Sequence, residues 1–268
     1  MEEYGMRAEK RVLRDGELDL CGAESGGRAP DMPYLAAGDS FAFQCGGCGG
    51  CCRGREDLVL SGYDLYRLAR RLGLPPRITA RAFCRSHIGA VSRLPVLRLA
   101  PVKTEGNNCP FLSGGRCAVH EARPLACALY PLGQEISRDG TVRYYFQKTS
   151  CGGKAFRATL ADYLAAQGVA ERESCDVLWA TRCMELEQQA PGWEAALGPV
   201  ILRRFQAKLA DALYYRFDTA RPWAEQFCEN LAWLAGEQAR LEAMQQTLLS
   251  KKRMDAFKSI NNGGASDE

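Results

Sequence analysis

The stretch Cys45-Gly-Gly-Cys48-Gly-Gly-Cys51-Cys52 places four thiols in one short segment. Only glycines separate the first three cysteines, and glycine adopts left-handed backbone angles without steric cost. The chain can therefore wrap tightly around a central atom. This segment predicts a region organised by an inorganic centre rather than by a large sheet.

Four further cysteines follow in the same half of the chain, and the eight together are the predicted metal ligands. The sequence holds 13 cysteines and 2 histidines in 268 residues. The polar start, residues 1–10, has no apolar core of a secretory signal, so we expect a reducing, cytoplasmic location, where clustered thiols indicate metal or redox chemistry. The predicted ligands are Cys45, Cys48, Cys51, Cys52, Cys109, Cys117, Cys127 and Cys151.

The adjacent pair Cys51 and Cys52 limits how these thiols can be shared. Successive side chains diverge by about 100° in a helix and about 180° in a strand, so both can hardly bind one tetrahedral ion without distortion. Either the eight thiols form two four-ligand sites that meet at this pair, or one of the pair lies behind the ligands.

The nature of the centre is left open by the spacing. Cys-x2-Cys-x2-Cys with a remote Cys109-Pro110 resembles the ligand pattern of bacterial ferredoxins, which hold 4Fe–4S clusters, although Cys52 departs from it. A zinc site of four cysteines is the other interpretation, since thiolates suit both zinc and iron–sulfur. A thiol-exchange or purely structural role is the remaining alternative.

Three linked motifs resemble the YkgJ-type cysteine-cluster (CxxCxxCC) family. They are FQCGGCGGCCR at residues 43–53, CPFL at 109–112 and CAVHEARPLACALYP at 117–131. That family is described as a zinc- or iron-chelating domain with eight cysteines, and the resemblance covers residues 41–167. His120 and Ala128 stand where a tyrosine and an arginine are common, but neither replaces a cysteine.

The resemblance implies metal chelation with a structural or electron-transfer role. A relative with a similar cysteine pattern, the flagellin lysine N-methylase, is thought to carry an iron–sulfur cluster. It implies the alternative of a cluster-dependent protein-modifying enzyme. Whether the chain is an enzyme is left open, and histidine acid/base chemistry has only His87 and His120 to draw on.

The patterns predict an α+β fold that is mostly α. A small, irregular, metal-stapled cysteine-rich region with a short hairpin is followed by a helical half packed against it. The predicted divisions are a loose N-terminal arm at 1–40, the cysteine-cluster domain at 41–154, a helical region at 155–250 and a flexible tail at 251–268.

Local signals place the predicted elements. Ser61 is a good N-cap for a first helix, and a second helix is predicted at residues 78–88. Residues 96–99 are predicted as a strand, and Asp139-Gly140 as the turn of a hairpin.

The helical half shows apolar residues at helical spacing, typical of core-facing helices. The two stripes are Leu202, Phe205, Leu209, Leu213 and Phe227, Leu231, Leu234, Leu241, Leu248.

The other cysteines and histidines could be either metal ligands or ordinary structural residues. Cys84 and His87 lie three apart on the predicted second helix and could join a metal site, but core filling is the commoner role of such a cysteine. Cys175 and Cys183 are interpreted as buried thiols. His120 could be a ligand beside Cys117, since zinc sites mix cysteine and histidine.

Charge and composition narrow the classes of partner. The chain is 46% hydrophobic and 25% charged with a formal net charge of +3, which fits a globular protein and gives no global signal for nucleic acid. No run of about 18 apolar residues occurs, so no membrane span is expected. The expected partners are a metal ion or cluster, with a protein partner or substrate at the helical half left open.

Residues 53–98 hold ten arginines and three acids. This excess is interpreted as a solvated basic face, as compensation for thiolate charge, or as attraction for an acidic partner or nucleic acid.

Overall fold

The computed structural model describes residues 32–45, 47–54, 58–147, 149 and 152–262. The strands are β1 (Tyr34–Leu35), β2 (Ser40–Gln44), β3 (Val59–Leu60), β4 (Cys84–Ile88), β5 (Pro95–Leu99), β6 (Leu112–Ser113), β7 (Arg116–Cys117), β8 (Leu132–Ile136), β9 (Val142–Phe146) and β10 (Gly153–Thr159). The helices are α1 (Gly62–Leu72), α2 (Pro76–Phe83), α3 (Leu125–Leu129), α4 (Leu160–Ala166), α5 (Glu173–Ala196), α6 (Pro199–Ala210) and α7 (Trp223–Asn262). A π-helical turn, Asp211–Tyr215, extends α6.

The predicted mostly-α, α+β fold is confirmed, with short antiparallel strands before the helices. The described strands form four small sheets, in the orders β1-β9-β8, β10-β2, β3-β5-β4 and β6-β7. None is large enough to organise the molecule, so the helices supply most of the core.

The first helix begins where the sequence predicts. Ser61 caps α1, its side chain accepting a hydrogen bond from the Asp64 backbone at 3.0 Å, while the Asp64 carboxylate accepts from the Ser61 backbone at 3.1 Å. This reciprocal pair satisfies two backbone donors that a helix start leaves without partners. Gly73, at φ 66°, ends the helix.

The predicted helix at 78–88 is wrong in its second half. Helix α2 ends at Phe83, and residues 84–88 form β4, which pairs antiparallel with β5. Pairing with the strand at Pro95–Leu99 supplies backbone hydrogen bonds that local sequence does not reveal. Cys84 and His87 therefore lie on a strand, not on one helix face.

Of the remaining local predictions, the hairpin turn is confirmed, and two helix boundaries differ from those predicted. The Asp139-Gly140 turn joins β8 to β9 as predicted, with Gly140 at φ 82°. The helical half begins at Leu160 rather than at 155, because residues 153–159 pair with β2. Helix α7 continues to Asn262, so residues 251–262 of the predicted tail are helical.

The largest hydrophobic core crosses the boundary predicted between residues 154 and 155. Leu60, Leu65 and Leu97 pack in one cluster with Phe205 and Phe227. The helical stripes are buried as predicted over most of their length, but Leu248 is 45% exposed because α7 has passed beyond the core there. The cysteine-rich half therefore rests on the helices as part of one core.

A second core cluster supports the start of the glycine-spaced segment. Phe41 and Phe43 of β2 pack against Leu129 and Tyr163. No helix in the described part of the chain has the length and apolar character that crossing a membrane requires.

Candidate metal centre

Cys51 and Cys52 lie in a tight 3-10 turn whose entry requires glycine. Gly49 has φ 68°, and a Cβ there would lie 2.9 Å from the Gly115 carbonyl oxygen, so a larger residue would both strain the backbone and collide with the β6–β7 hairpin. The Cys52 backbone donates to the Gly49 carbonyl at 3.0 Å and closes the turn.

The sulfur atoms of Cys51 and Cys52 lie 4.0 Å apart. Rotation about Cα–Cβ brings the two sulfurs together, although the side chains of successive residues leave the backbone in different directions. Two thiolates on one tetrahedral zinc, with Zn–S bonds of about 2.3 Å, have sulfurs about 3.8 Å apart. This pair is close to that spacing.

Cys109 and Cys127 join this pair from two distant segments. The Cys109 backbone donates to the Cys52 carbonyl at 2.8 Å, which ties the two segments together. A cavity of ≈ 20 Å³ is lined by Cys51, Cys52, Cys109 and Cys127, together with Leu58, Leu99, Pro101 and Pro110. Four thiols from three parts of the chain therefore face one small space whose other walls are apolar.

The neighbouring thiols also affect the ionisation of Cys52. The hydrogen bond with Cys51 raises the pKa of the Cys52 thiol well above its ordinary value, and burial and the charges of Cys51, Cys109 and Cys127 raise it further. A thiol in this setting resists ionisation unless a cation offsets the charge. A metal ion supplies that positive charge and binds thiolates, with release of protons.

The helix that carries Cys127 is anchored by a buried ion cluster. Asp64 Oδ1 accepts from the Leu125 backbone at 2.9 Å, at the start of α3, and from Arg172 Nη2 at 2.6 Å. Arg172 also binds Asp176 in a two-bond pair of 2.7 and 2.8 Å, and all three side chains are almost fully buried.

The charges in this cluster depend on one another. Burial lowers the pKa of the Arg172 guanidinium, but Asp64 and Asp176 outweigh burial and raise it above its ordinary value. Burial raises the pKa of the Asp176 carboxyl despite Arg172. The cluster positions α3, and through it Cys127, against α1 and α5. Sequence reasoning missed it, because Asp64 and Arg172 are ordinary charged residues in the sequence.

Cys45, Cys48 and Cys117 are not among the residues that line the cavity. The amide of Gly50 donates to the Cys48 sulfur at 3.4 Å, and the Arg53 guanidinium donates to the Cys48 carbonyl at 2.9 Å. Cys45 and Cys51 both contribute to raising the pKa of Tyr163, after burial. Cys117 lies on β7, in the hairpin against which Gly49 packs.

Cys151 lies outside the described residues, but its neighbours are described. Gly153 pairs with Gln44, and a Cβ on Gly152 would lie 2.4 Å from the Phe43 ring. This part of the chain therefore returns to the strand that leads into Cys45. Within the described ranges, no group of three or more histidine, cysteine, aspartate or glutamate side chains forms a finished coordination shell, so the four cavity cysteines line one space without yet being drawn together as ligands.

Cys84, His87, His120, Cys175 and Cys183 are not among the residues that line the thiol cavity. Cys84 and His87 are on β4, and His87 is exposed. Cys183 is buried in the large core, where burial raises the pKa of its thiol, and Cys175 packs against the same core. Burial and Arg123 lower the pKa of His120, whose ring faces the Arg123 guanidinium at 3.0 Å.

The thiol cavity, together with the motifs that build it, lies inside one segment that matches a known family. Residues 44–152 match the CxxCxxCC family. Its description is a putative zinc- or iron-chelating domain. The resemblance inferred from the motifs is confirmed for this segment, and the family's description suggests zinc or iron chelation.

The CxxCxxCC match ends before α4, so most of the helical half lies outside it. No curated protein and no solved structure matches the chain significantly. The family therefore informs the cysteine-rich half alone, and Asp64 of that half is held by Arg172 from beyond it.

Proposed function

We propose that this protein binds a metal centre, zinc or an iron–sulfur cluster, through the thiols of Cys51, Cys52, Cys109 and Cys127, and that the centre has a structural role. The observation that carries the proposal is that these four thiols, from three separate segments, line one cavity. Packing alone does not require four sulfurs to face one another, since an isolated buried cysteine behaves as a small hydrophobe.

The donor set fits a soft or borderline metal. All four polar groups at the cavity are thiols, which suit zinc and iron–sulfur clusters and do not suit magnesium or calcium. The 4.0 Å between the sulfurs of Cys51 and Cys52 suits two ligands of the same centre.

The remaining four thiols extend the proposal to the eight-cysteine set. Cys45 and Cys48 precede the turn that carries Cys51, and Cys117 lies on the hairpin that packs against Gly49. Together with Cys151, whose neighbours pair with β2, they are proposed to form a second group of ligands next to the first. This division also gives two four-ligand groups, but both thiols of the adjacent pair Cys51 and Cys52 belong to the first group.

A bound centre supplies cross-links that the short strands do not. It ties the glycine-spaced turn, the Cys109 segment and α3 into one unit, and a site of four thiolates contributes free energy of folding on the order of 10 kcal/mol. The protein groups already in place position the three segments. The Cys52 carbonyl accepts from Cys109, and Asp64 fixes the start of α3.

Anaerobic purification with metal and acid-labile sulfide analysis tests the proposal. We expect bound zinc without sulfide, or iron with matching sulfide, and in Cys52→Ser, Cys109→Ser and Cys127→Ser a loss of the share of that metal held by the first group of ligands. Cys228→Ser is the matched control, because Cys228 is exposed on α7 and far along the chain from the thiols. Full metal retention in all three cavity variants would refute the assigned ligands.

A further inference from the structure

A groove lies at the open edge of the β3-β5-β4 sheet, on the part of the chain that the metal proposal does not use. It has a volume of ≈ 310 Å³ and lies between β4, β5 and the end of α6. Its lining includes Ser86 and Ile88 of β4, Ala207 and Ala210 of α6, and Tyr215 of the π-helical turn.

Strand β4 is an edge strand with outward-facing backbone groups. Among the described residues it pairs with β5 alone. The Ala100 N–H donates to the Phe83 carbonyl at 2.8 Å, and the Gly89 N–H donates to the Leu94 carbonyl at 2.9 Å. Phe83 and Gly89 therefore direct their backbone groups towards β5, and every second residue between them does the same. In an antiparallel ladder, the N–H and C=O groups of Ser86 and Ile88 then point away from β5.

The side chains along the groove show that the sheet is incompletely covered. Ser86 and Ile88 lie opposite Leu97 and Pro95, on the same face of the sheet. Leu97 is 2% exposed, whereas Ile88 is 43% exposed. The helical layer therefore covers β5 and leaves β4 open. The small side chains of Ala207 and Ala210 leave room there for another strand.

The chain segment that builds the β4 side of the groove is rich in basic residues, which favours an acidic ligand. Residues 65–104, which include α2, β4, β5 and the part of α1 that follows Asp64, contain nine basic residues and no acidic residue. Arg85 is exposed on β4 itself. The acidic groups contributed by the helical side include Asp211 and Glu194, and these pair with Arg77 and Arg93.

An open strand edge, an apolar groove and a basic surrounding segment occur together here. We propose that the groove binds an extended acidic peptide segment of a partner protein, which adds as a strand to the outer edge of β4. Its backbone pairs with Ser86 and Ile88, its apolar side chains lie against Ala207 and Ala210, and its carboxylates face the arginine-rich surface. The geometry favours a peptide over nucleic acid, because the floor is apolar and the edge offers a backbone ladder.

Fluorescence anisotropy with defined peptides tests this site on the full chain. The probe is a labelled decapeptide of alternating glutamate and valine, compared with its lysine–valine counterpart and with a labelled single-stranded oligonucleotide. We expect saturable binding of the acidic peptide alone, weakened by salt. In an added strand, only every second N–H of the peptide points towards β4. Methylating the nitrogens of that set should abolish binding, whereas methylating the nitrogens of the other set should not.

A pair of matched variants locates the site. Ala207→Glu places a charge in the groove and should weaken binding by about tenfold or more, whereas Val200→Glu places the same charge on the same helix outside it and should not. Both positions are exposed on α6, so both variants should fold. Preference for the oligonucleotide, indifference to backbone methylation, no saturable binding, or equal effects of the two variants would each overturn the proposal.

Discussion

Cysteines occupy two contrasting settings in this protein. Cys51, Cys52, Cys109 and Cys127 lie in a 3-10 turn, a loop and the five-residue helix α3, are partly exposed and line one cavity. Cys183 lies in the long helix α5, is 4% exposed and packs within the large core. The same side chain is a candidate ligand where turns bring sulfurs together, and a small hydrophobe where a helix buries it alone.

Metal removal should distinguish the two settings most strongly. We expect a chelator to expose residues 45–54 and 101–131 to hydrogen exchange, because a four-thiolate centre contributes on the order of 10 kcal/mol to folding. If the centre alone held the cysteine-rich region together, metal removal would disorder all of residues 41–151. The structure limits the expected disorder to the two loop segments, because α1 and β5 share their core with α6 and α7 and stay folded without the metal. Unchanged exchange in both loop segments would contradict a structural centre.

The next largest effect is expected at the ion cluster that joins the two halves. Arg172→Met leaves Asp64 and Asp176 buried without their cation, and should lower the free energy of unfolding by about 3–5 kcal/mol in urea titrations. The control is Arg182→Met, which removes an exposed pair with Glu185 and should cost less than about 1 kcal/mol. Similar losses in the two variants would show that the buried cluster does not couple the halves.

The buried helical cysteine provides a smaller and selective effect. Cys183→Ser places a hydroxyl in an apolar core and should cost about 1–3 kcal/mol, measured by thermal and urea unfolding, with metal content unchanged. In the native wild-type protein, mass spectrometry after alkylation should find Cys183 unlabelled and the exposed Cys228 labelled. Metal loss in Cys183→Ser would contradict the division between ligand and core cysteines.

The smallest effect concerns the start of α1, which presents Asp64 to the cluster. Ser61→Ala removes the cap and should cost about 1 kcal/mol in urea unfolding, whereas Ser61→Gly should cost only a few tenths. Equal losses in the two variants would point to packing rather than capping as the role of Ser61.

Local rules explain which elements could be predicted from sequence. Ser61 predicts a helix start and Asp139-Gly140 predicts a hairpin turn. Both predictions are possible because a helix cap and a tight turn depend on neighbouring residues alone. The strand Cys84–Ile88 was not predicted, because its partner β5 decides its conformation. The gathering of Cys51, Cys109 and Cys127 follows from their density and spacing.

The ion cluster could not be predicted in this way. Asp64 and Arg172 are 108 positions apart, and nothing in their local sequence indicates that they meet. The closeness of the Cys51 and Cys52 sulfurs was also missed, because side-chain rotation decides it rather than the backbone period.

X-ray absorption spectroscopy at the edge of the bound metal tests the central claim most directly. The account predicts a first shell of sulfur at about 2.3 Å in the wild-type protein, with sulfur lost on Cys52→Ser, Cys109→Ser or Cys127→Ser and retained in Cys228→Ser. A shell dominated by nitrogen or oxygen, or one unchanged by all three substitutions, would contradict it.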